Sequence, residues 1–334
     1  MNNRQYGFTM IELLISMLLG MSLIAGVSVL FTNSQTVYKT QRSLGYMMED
    51  GRYVLETLSK ELRRTGFLRN ATALNGAATN IFRLDDISTP ATFNSGFTLN
   101  KGEYIHGDTG DDFAIRYQLN DYLDADSNNA NAKSNTSSPC SQNLDFLSTE
   151  YYPSTDVNYP YMLADNITSV PSSTVGLTPV PHVVTLYFYV ANDGSIPTLY
   201  CKAKRETITE GDPPTVIGCK APSANCTSPT PLPIISNVER LIVKYGIDSN
   251  LTPDGAANYY VDAATVGTAN WSKVVAIKLF IVLRSEDDNI SKKAGTFSIE
   301  SVPCSPSTYP CPATTNRRLY RVFSTTIAFR NKIL

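Results

Sequence analysis

From Phe8 to Phe31 the chain is apolar at nearly every position, relieved by Gly and Ser, and Glu12 is the one charge in the run. As a helix this stretch would extend about 36 Å, enough to cross a hydrocarbon core of about 30 Å. It exceeds the apolar core of a cleaved secretory signal, roughly 7–15 residues, and no small-residue cleavage site follows it. It therefore reads as a retained segment. Beyond it, Leu44, Met47, Met48, Gly51, Val54 (or Leu55), Leu58 and Leu62 recur at helical spacing and form an amphipathic stripe. Arg42, Glu49, Arg52, Lys60, Glu61, Arg63 and Arg64 fall mostly off that stripe, and Gly66 suits a C-cap. One helix from Phe8 to Thr65 would be about 87 Å long. No small domain needs such a helix; one half in lipid and half against a globular head does.

Past Gly66 the period changes from helical to two. Ile81-Phe82-Arg83-Leu84 is a short strand candidate, and Phe113 to Leu119 alternates as a strand. His182 to Val190, the turn Asn192-Asp193-Gly194-Ser195 and Thr198 to Ala203 predict a β-hairpin. Ile234 to Gly246 reads as a turn and then a strand. Val274 to Ser285 is an apolar central strand and Arg317 to Asn331 the last one. Between these lie loops, the longest a polar insert at about 120–180; a connection of that length without periodicity is expected to be functional or mobile. The predicted fold is α+β, a long N-terminal helix packed on an antiparallel sheet, with a second sheet or a looped extension from the insert.

Composition narrows the function. The 334 residues carry a net charge of -2 and only 17% charged side chains. No basic run exceeds two residues, which argues against a nucleic-acid partner. The six cysteines, Cys140, Cys201, Cys219, Cys226, Cys304 and Cys311, all follow the apolar segment. Cys219/Cys226 and Cys304/Cys311 share the spacing C-x6-C in Pro/Ser-rich loops without nearby His, unlike zinc sites. Disulfides in an oxidising compartment are the expectation. Many connectivities are open to six cysteines; the two local pairs are favoured, leaving Cys140 with Cys201. Arg4 precedes the apolar run and Lys39 is the first charge after it, so the positive-inside rule and the cysteines both place the N-terminus in the cytoplasm.

Little supports catalysis or a cofactor. The chain has two His, His106 in a loop and His182 at a strand start, and no nucleophile, phosphate-loop or dinucleotide motif. Asp124-x-Asp126-x-Asn128 opens like a calcium loop but has Asn129 at the glycine position and Asn135 at the position of the closing Glu, so a solvated acidic loop is the reading. Tyr151, Tyr152, Tyr159 and Tyr161 form a candidate contact surface within the insert. A carboxylate inside an apolar run is costly and expected to have a partner, although Glu12 would also complement a helix N-terminus.

The segment Gly7-Phe8-Thr9-Met10-Ile11-Glu12-Leu13-Leu14 resembles the class III signal of type IV prepilins and type II secretion pseudopilins. Met48 to Phe67, the Val-Glu-x-Leu-x-Val-x-Tyr-Gly strand, the Trp271-led strand ending Leu-Arg-Ser and the terminal strand ending Phe-Arg-Asn resemble PilW-type minor pilins and the related GspJ-type pseudopilins. The resemblance is thin over 67–180. It implies cleavage after Gly7 by a prepilin peptidase, N-methylation of Phe8, and pairing of Glu12 with the amine of a neighbouring subunit. The expected divisions are a leader at 1–7, a transmembrane and assembly helix at 8–31, an amphipathic helix at 32–66 and a periplasmic β-rich head at 67–334. The implied partners are other minor pilins, the major pilin, the inner-membrane assembly platform and its lipid, with a tip adhesin as a further candidate. The implied location is the inner membrane before assembly and the pilus tip after it. A type II secretion pseudopilin and a filament-tip adhesin acting through the 120–180 insert are the alternatives; neither is an enzyme.

Overall fold

A computed structural model describes residues 9–67, 91–93, 97–100, 102–108, 112–118, 140, 182–209, 215–218, 231–268, 270–291, 293–305, 309–312 and 317–331. The strand candidate at 81–84 and all of the insert except Cys140 lie outside these residues.

One helix, α1 (Met10–Leu62), runs unbroken for 53 residues, about 80 Å. Thr9 caps it in extended conformation, its hydroxyl accepting from the Glu12 amide at 3.4 Å. Up to Tyr46 the helix packs against almost nothing. From Met47 onward one face enters the core: Met47, Gly51, Val54, Thr57, Leu58, Glu61 and Leu62 are buried. That is most of the stripe read from the sequence, although Leu44 is only half-buried and Thr57 joins the buried face. Met48 is exposed, and Glu61, expected off the stripe, is fully buried. The helix also stops at Leu62 rather than Thr65, because the chain turns through Arg63–Gly66 and the Gly66 amide is taken by the Arg116 carbonyl at 2.9 Å. Gly66 has φ +74°, the left-handed geometry that a C-terminal glycine supplies.

The head holds two main antiparallel sheets. The six-stranded sheet contains β3 (Ile105–Gly107), β4 (Asp112–Gln118), β5 (His182–Asp193), β6 (Ile196–Thr209) and β7 (Thr215–Gly218) in that order, with β8 (Leu232–Ser236) also paired to β6. The four-stranded sheet runs β10 (Tyr259–Val261), β9 (Val238–Ile247), β11 (Val274–Arg284), β14 (Tyr320–Ala328). The predicted hairpin is β5–β6, tightened to a two-residue loop: Asp193 opposes Ile196 and Gly194 takes φ +61°. The turn read from Ile234 onward is instead the end of a strand, β8, which begins at Leu232. Asn237, at φ +62°, then redirects the chain from the first sheet into β9 of the second; Asn tolerates that conformation better than other side-chain-bearing residues.

α1 and both sheets share one core, which includes Val54 and Leu58 from the helix, Phe113 and Phe188 from the first sheet, and Leu241 and Ile281 from the second. The outer faces are covered too. A hairpin of β1 (Ala91–Thr92) and β2 (Thr98–Leu99) brings Phe93, Phe97 and Leu99 over Ala114 and Tyr187. A second, β12 (Ser298–Ile299) with β13 (Val302–Pro303), places Phe297 and Ile299 on Ile242, Phe280 and Val282. Double coverage explains why β11 is buried at all but Lys278 and Arg284, and why Arg116 is buried in β4 where alternation expected an outward residue.

Helix and four-stranded sheet meet closely at Gly51, where a Cβ would overlap the ring of Phe323 in β14. At Gly45 nothing lies within 4 Å of a Cβ. Helix propensity favours Ala over Gly by about 1 kcal/mol, whereas overpacking costs about 1–3 kcal/mol. Gly45→Ala is expected to raise the thermal midpoint of the detergent-solubilised chain and Gly51→Ala to lower it. Equal gains in both would remove the Gly51–Phe323 contact from this account.

Candidate assembly interface

The exposed half of α1 is the most unusual surface of the molecule. Met10, Ile11, Leu14, Leu18, Met21 and Phe31 are each more than 60% exposed, and the helix is long and apolar enough to cross a membrane. Its polar side chains are largely turned back on the helix. Ser16, Ser22 and Ser28 donate to the carbonyls of Leu13, Leu19 and Ile24 at 2.8–2.9 Å, and Thr32, Thr36 and Thr40 do the same to carbonyls three or four residues back. Such bonds let hydroxyls sit in hydrocarbon without an unsatisfied donor. Within the apolar run to Phe31, Glu12 is the exception. It is exposed in the first turn, its carboxylate at the positive end of the helix dipole. Within the isolated chain nothing cationic meets it among the described residues. Gly7 and Phe8 lie outside them.

At its other end the helix is fixed to the head by a buried polar contact that the sequence reading missed. Tyr117 of β4 donates to Glu61 Oε2 at 2.8 Å, and the Arg64 guanidinium stands 3.9 Å from Oε1. The signal was present: Glu61 continues the Val54, Leu58 spacing, and only its charge argued against burial. Near it Arg116, also fully buried, donates from Nε to Thr185 Oγ1 at 3.2 Å and from an amino group to the Asn100 carbonyl at 3.4 Å. Asn331, just past β14, donates its side-chain amide to the Arg63 carbonyl at 2.9 Å, so the end of this strand closes on the helix end.

The remaining sequence candidates are dispersed. His106 Nδ1 lies 2.9 Å from Glu103 Oε2, and its ring packs on Trp271 with centroids 4.4 Å apart, an interior position beneath the β1–β2 hairpin. His182 opens β5 opposite Thr207. Among the described residues no three His, Cys, Asp or Glu side chains gather as a metal site. Disulfides join Cys140 to Cys201 and Cys304 to Cys311. The first ties one point of the long insert to β6 inside the core, and the second closes the loop after β13. Cys219, Cys226, the tyrosines at 151–161 and the acidic loop at 124–128 lie outside the described residues.

Two family models match the chain. The prokaryotic N-terminal methylation motif covers residues 2–28, and the model described as type IV pilus-assembly protein W covers residues 187–331. The second match runs from β5 to the end of β14, spanning the hairpin and the whole four-stranded sheet. No curated protein and no solved structure gives a significant match.

Burial holds the phenol of Tyr117 well above the ordinary tyrosine range, helped by the Glu61 carboxylate, and burial does the same to Tyr104 and Tyr245. A raised folded-state value gives stability that is complete below the unfolded value of about 10 and is lost as pH climbs above it toward the folded value. The thermal midpoint is therefore expected to be flat through neutral pH and to fall beyond about pH 10. Tyr117→Phe should lower it at pH 7 by leaving a buried carboxylate short of a donor, at a cost of about 1–3 kcal/mol, and should soften the alkaline fall. An unchanged alkaline profile in the variant would contradict the assignment.

Proposed function

We propose that this chain, a PilW-domain protein behind a prepilin-type methylation motif, is a minor pilin that helps to initiate or cap a type IV pilus. The observation that carries the reading is the division of α1. Its exposed part is apolar but for Glu12 as far as Phe31, while its last turns are locked into a β-rich head. In this reading Arg4 holds the leader in the cytoplasm, and prepilin peptidase cuts between Gly7 and Phe8 so that Phe8 becomes the methylated N-terminus. The apolar segment then keeps the subunit in the inner membrane with its disulfide-bearing head in the periplasm. On extraction into the filament, Glu12 pairs with the terminal amine of a neighbouring pilin. Each partner of that pair is expensive alone in hydrocarbon, about 2.5–3.5 kcal/mol on insertion scales, so the pair selects one register of helix against helix. The role is structural, supporting pilus biogenesis and the motility and adhesion that depend on it. The span of the PilW match supports a pilus subunit over a type II secretion pseudopilin.

Glu12→Ala tests the assembly step. The variant should accumulate in the membrane at the normal level, because losing a charge eases insertion, yet restore filaments at least about tenfold less well than the native chain, in keeping with the lost ion pair. Native filament numbers with Glu12→Ala would sink the proposal.

A further inference from the structure

The four-stranded sheet ends in an unusual edge. β14 is nine residues long, and its pairing with β11 runs from Ala276–Ala328 to Arg284–Tyr320 without a register shift. The other edges among the described strands are short: three residues in β3 and in β10, four in β7, five in β8. The Phe329 amide bonds the Val275 carbonyl and the Ser285 amide bonds the Leu319 carbonyl. Those two bonds set the phase of the ladder. Odd-numbered residues of β14 face β11, and the amides and carbonyls of Tyr320, Val322, Ser324, Thr326 and Ala328 point away from it. The Gly295 loop passes over the Tyr320 end, where a Cβ at Gly295 would overlap the Arg318 carbonyl and the Tyr320 ring. From Val322 to Ala328 the outward groups have no partner among the described residues. This stretch has no proline, no bulge and no lysine, the devices that usually protect an edge from pairing.

The surroundings indicate the occupant. β14 packs against α1 through Phe323 and Gly51, so its edge is continuous with the helix assigned above to assembly. Arg321 and Arg330 near the strand ends, and Arg63 at the end of α1, are exposed and in no ion pair among the described residues. Two copies of this chain meeting antiparallel at this edge would bring arginines toward arginines. A strand bearing carboxylates at its ends would meet them with opposite charge.

We infer that β14 is a docking edge that takes an extended, acid-flanked segment of a different filament subunit as an added strand. Main-chain bonds from Val322, Ser324, Thr326 and Ala328 supply the register, and Arg321, Arg330 and Arg63 select the partner. The inference rests on the assembly reading only for the identity of the neighbour; the free edge belongs to the head itself.

The test uses the full-length chain in pilus-forming cells, with a photo-cross-linking phenylalanine analogue in place of Thr326. The expected result is an adduct with another pilin-like subunit, joined through a peptide carrying Asp or Glu at its ends. Ser324→Pro removes one outward amide and leaves the bonds to β11 intact, and it should reduce the adduct by about tenfold or more. An adduct with a second copy of this chain, no adduct, or a yield indifferent to Ser324→Pro overturns the inference. Amide exchange reads the same edge without that variant. In the isolated solubilised chain Val322, Ser324, Thr326 and Ala328 should exchange fast while Phe323, Thr325 and Ile327 are protected. In the assembled complex the first set should slow, and continued fast exchange overturns the inference. If Glu12→Ala leaves filament numbers intact while the adduct still forms, the edge stands and the assembly reading falls; the reverse pair of results removes the edge alone.

Discussion

A single helix must satisfy two surroundings, and the contact that makes this possible is its anchorage at Glu61, Leu62 and Gly66. The Tyr117 hydroxyl bonds the Glu61 carboxylate, and the Arg116 carbonyl takes the Gly66 amide. Both partners belong to β4, so the six-stranded sheet grips the end of α1. The four-stranded sheet grips it about three turns earlier, through Phe323 on Gly51. With two sheets holding different points, the final turns cannot swing relative to the head. The exposed apolar half therefore projects in a defined direction. An interior carboxylate is a poor source of stability when compared with a well-packed hydrophobe, but breaking such a contact is costly. Its use here is positional.

That anchorage gives the apolar half its meaning. A helix whose Ser and Thr side chains mostly bond their own backbone has, as far as Phe31, a surface of methyl and methylene groups suited to lipid, with one carboxylate at its N-terminal turn. The methylation-motif match covers that region, and the PilW match covers the four-stranded sheet with its hold at Phe323 but not β4, through which the six-stranded sheet holds the helix. The two matches thus fall on the two ends of one mechanical unit, joined by α1.

Much of this was legible in the chain. The apolar run is legible from its length and composition alone; the helical stripe that ends at Leu62, the β5–β6 hairpin, the buried β11 and the terminal β14 follow from patterns of apolar positions that the structure buries. Three features were not. β8 escaped because Pro233 and Ser236 disguise a short strand as a turn, and only Asn237 marks the crossing between sheets. Glu61 was set off the stripe because charge usually means solvent, and nothing in the strand pattern marked Arg116 as buried; their burial depends on Tyr117 and Thr185, distant in sequence. The outer-face hairpins that cover Ala114 and Phe280 are too short to show a period at all.

At the centre of the account stands the claim that the apolar run is a processed assembly helix rather than a plain anchor. The mass of the N-terminal peptide of the mature protein, isolated from cells, tests it most directly. The account predicts a chain that begins at N-methylated Phe8, with Met1 to Gly7 removed. A chain that still begins at Met1, or one cut close to Phe31, would contradict it.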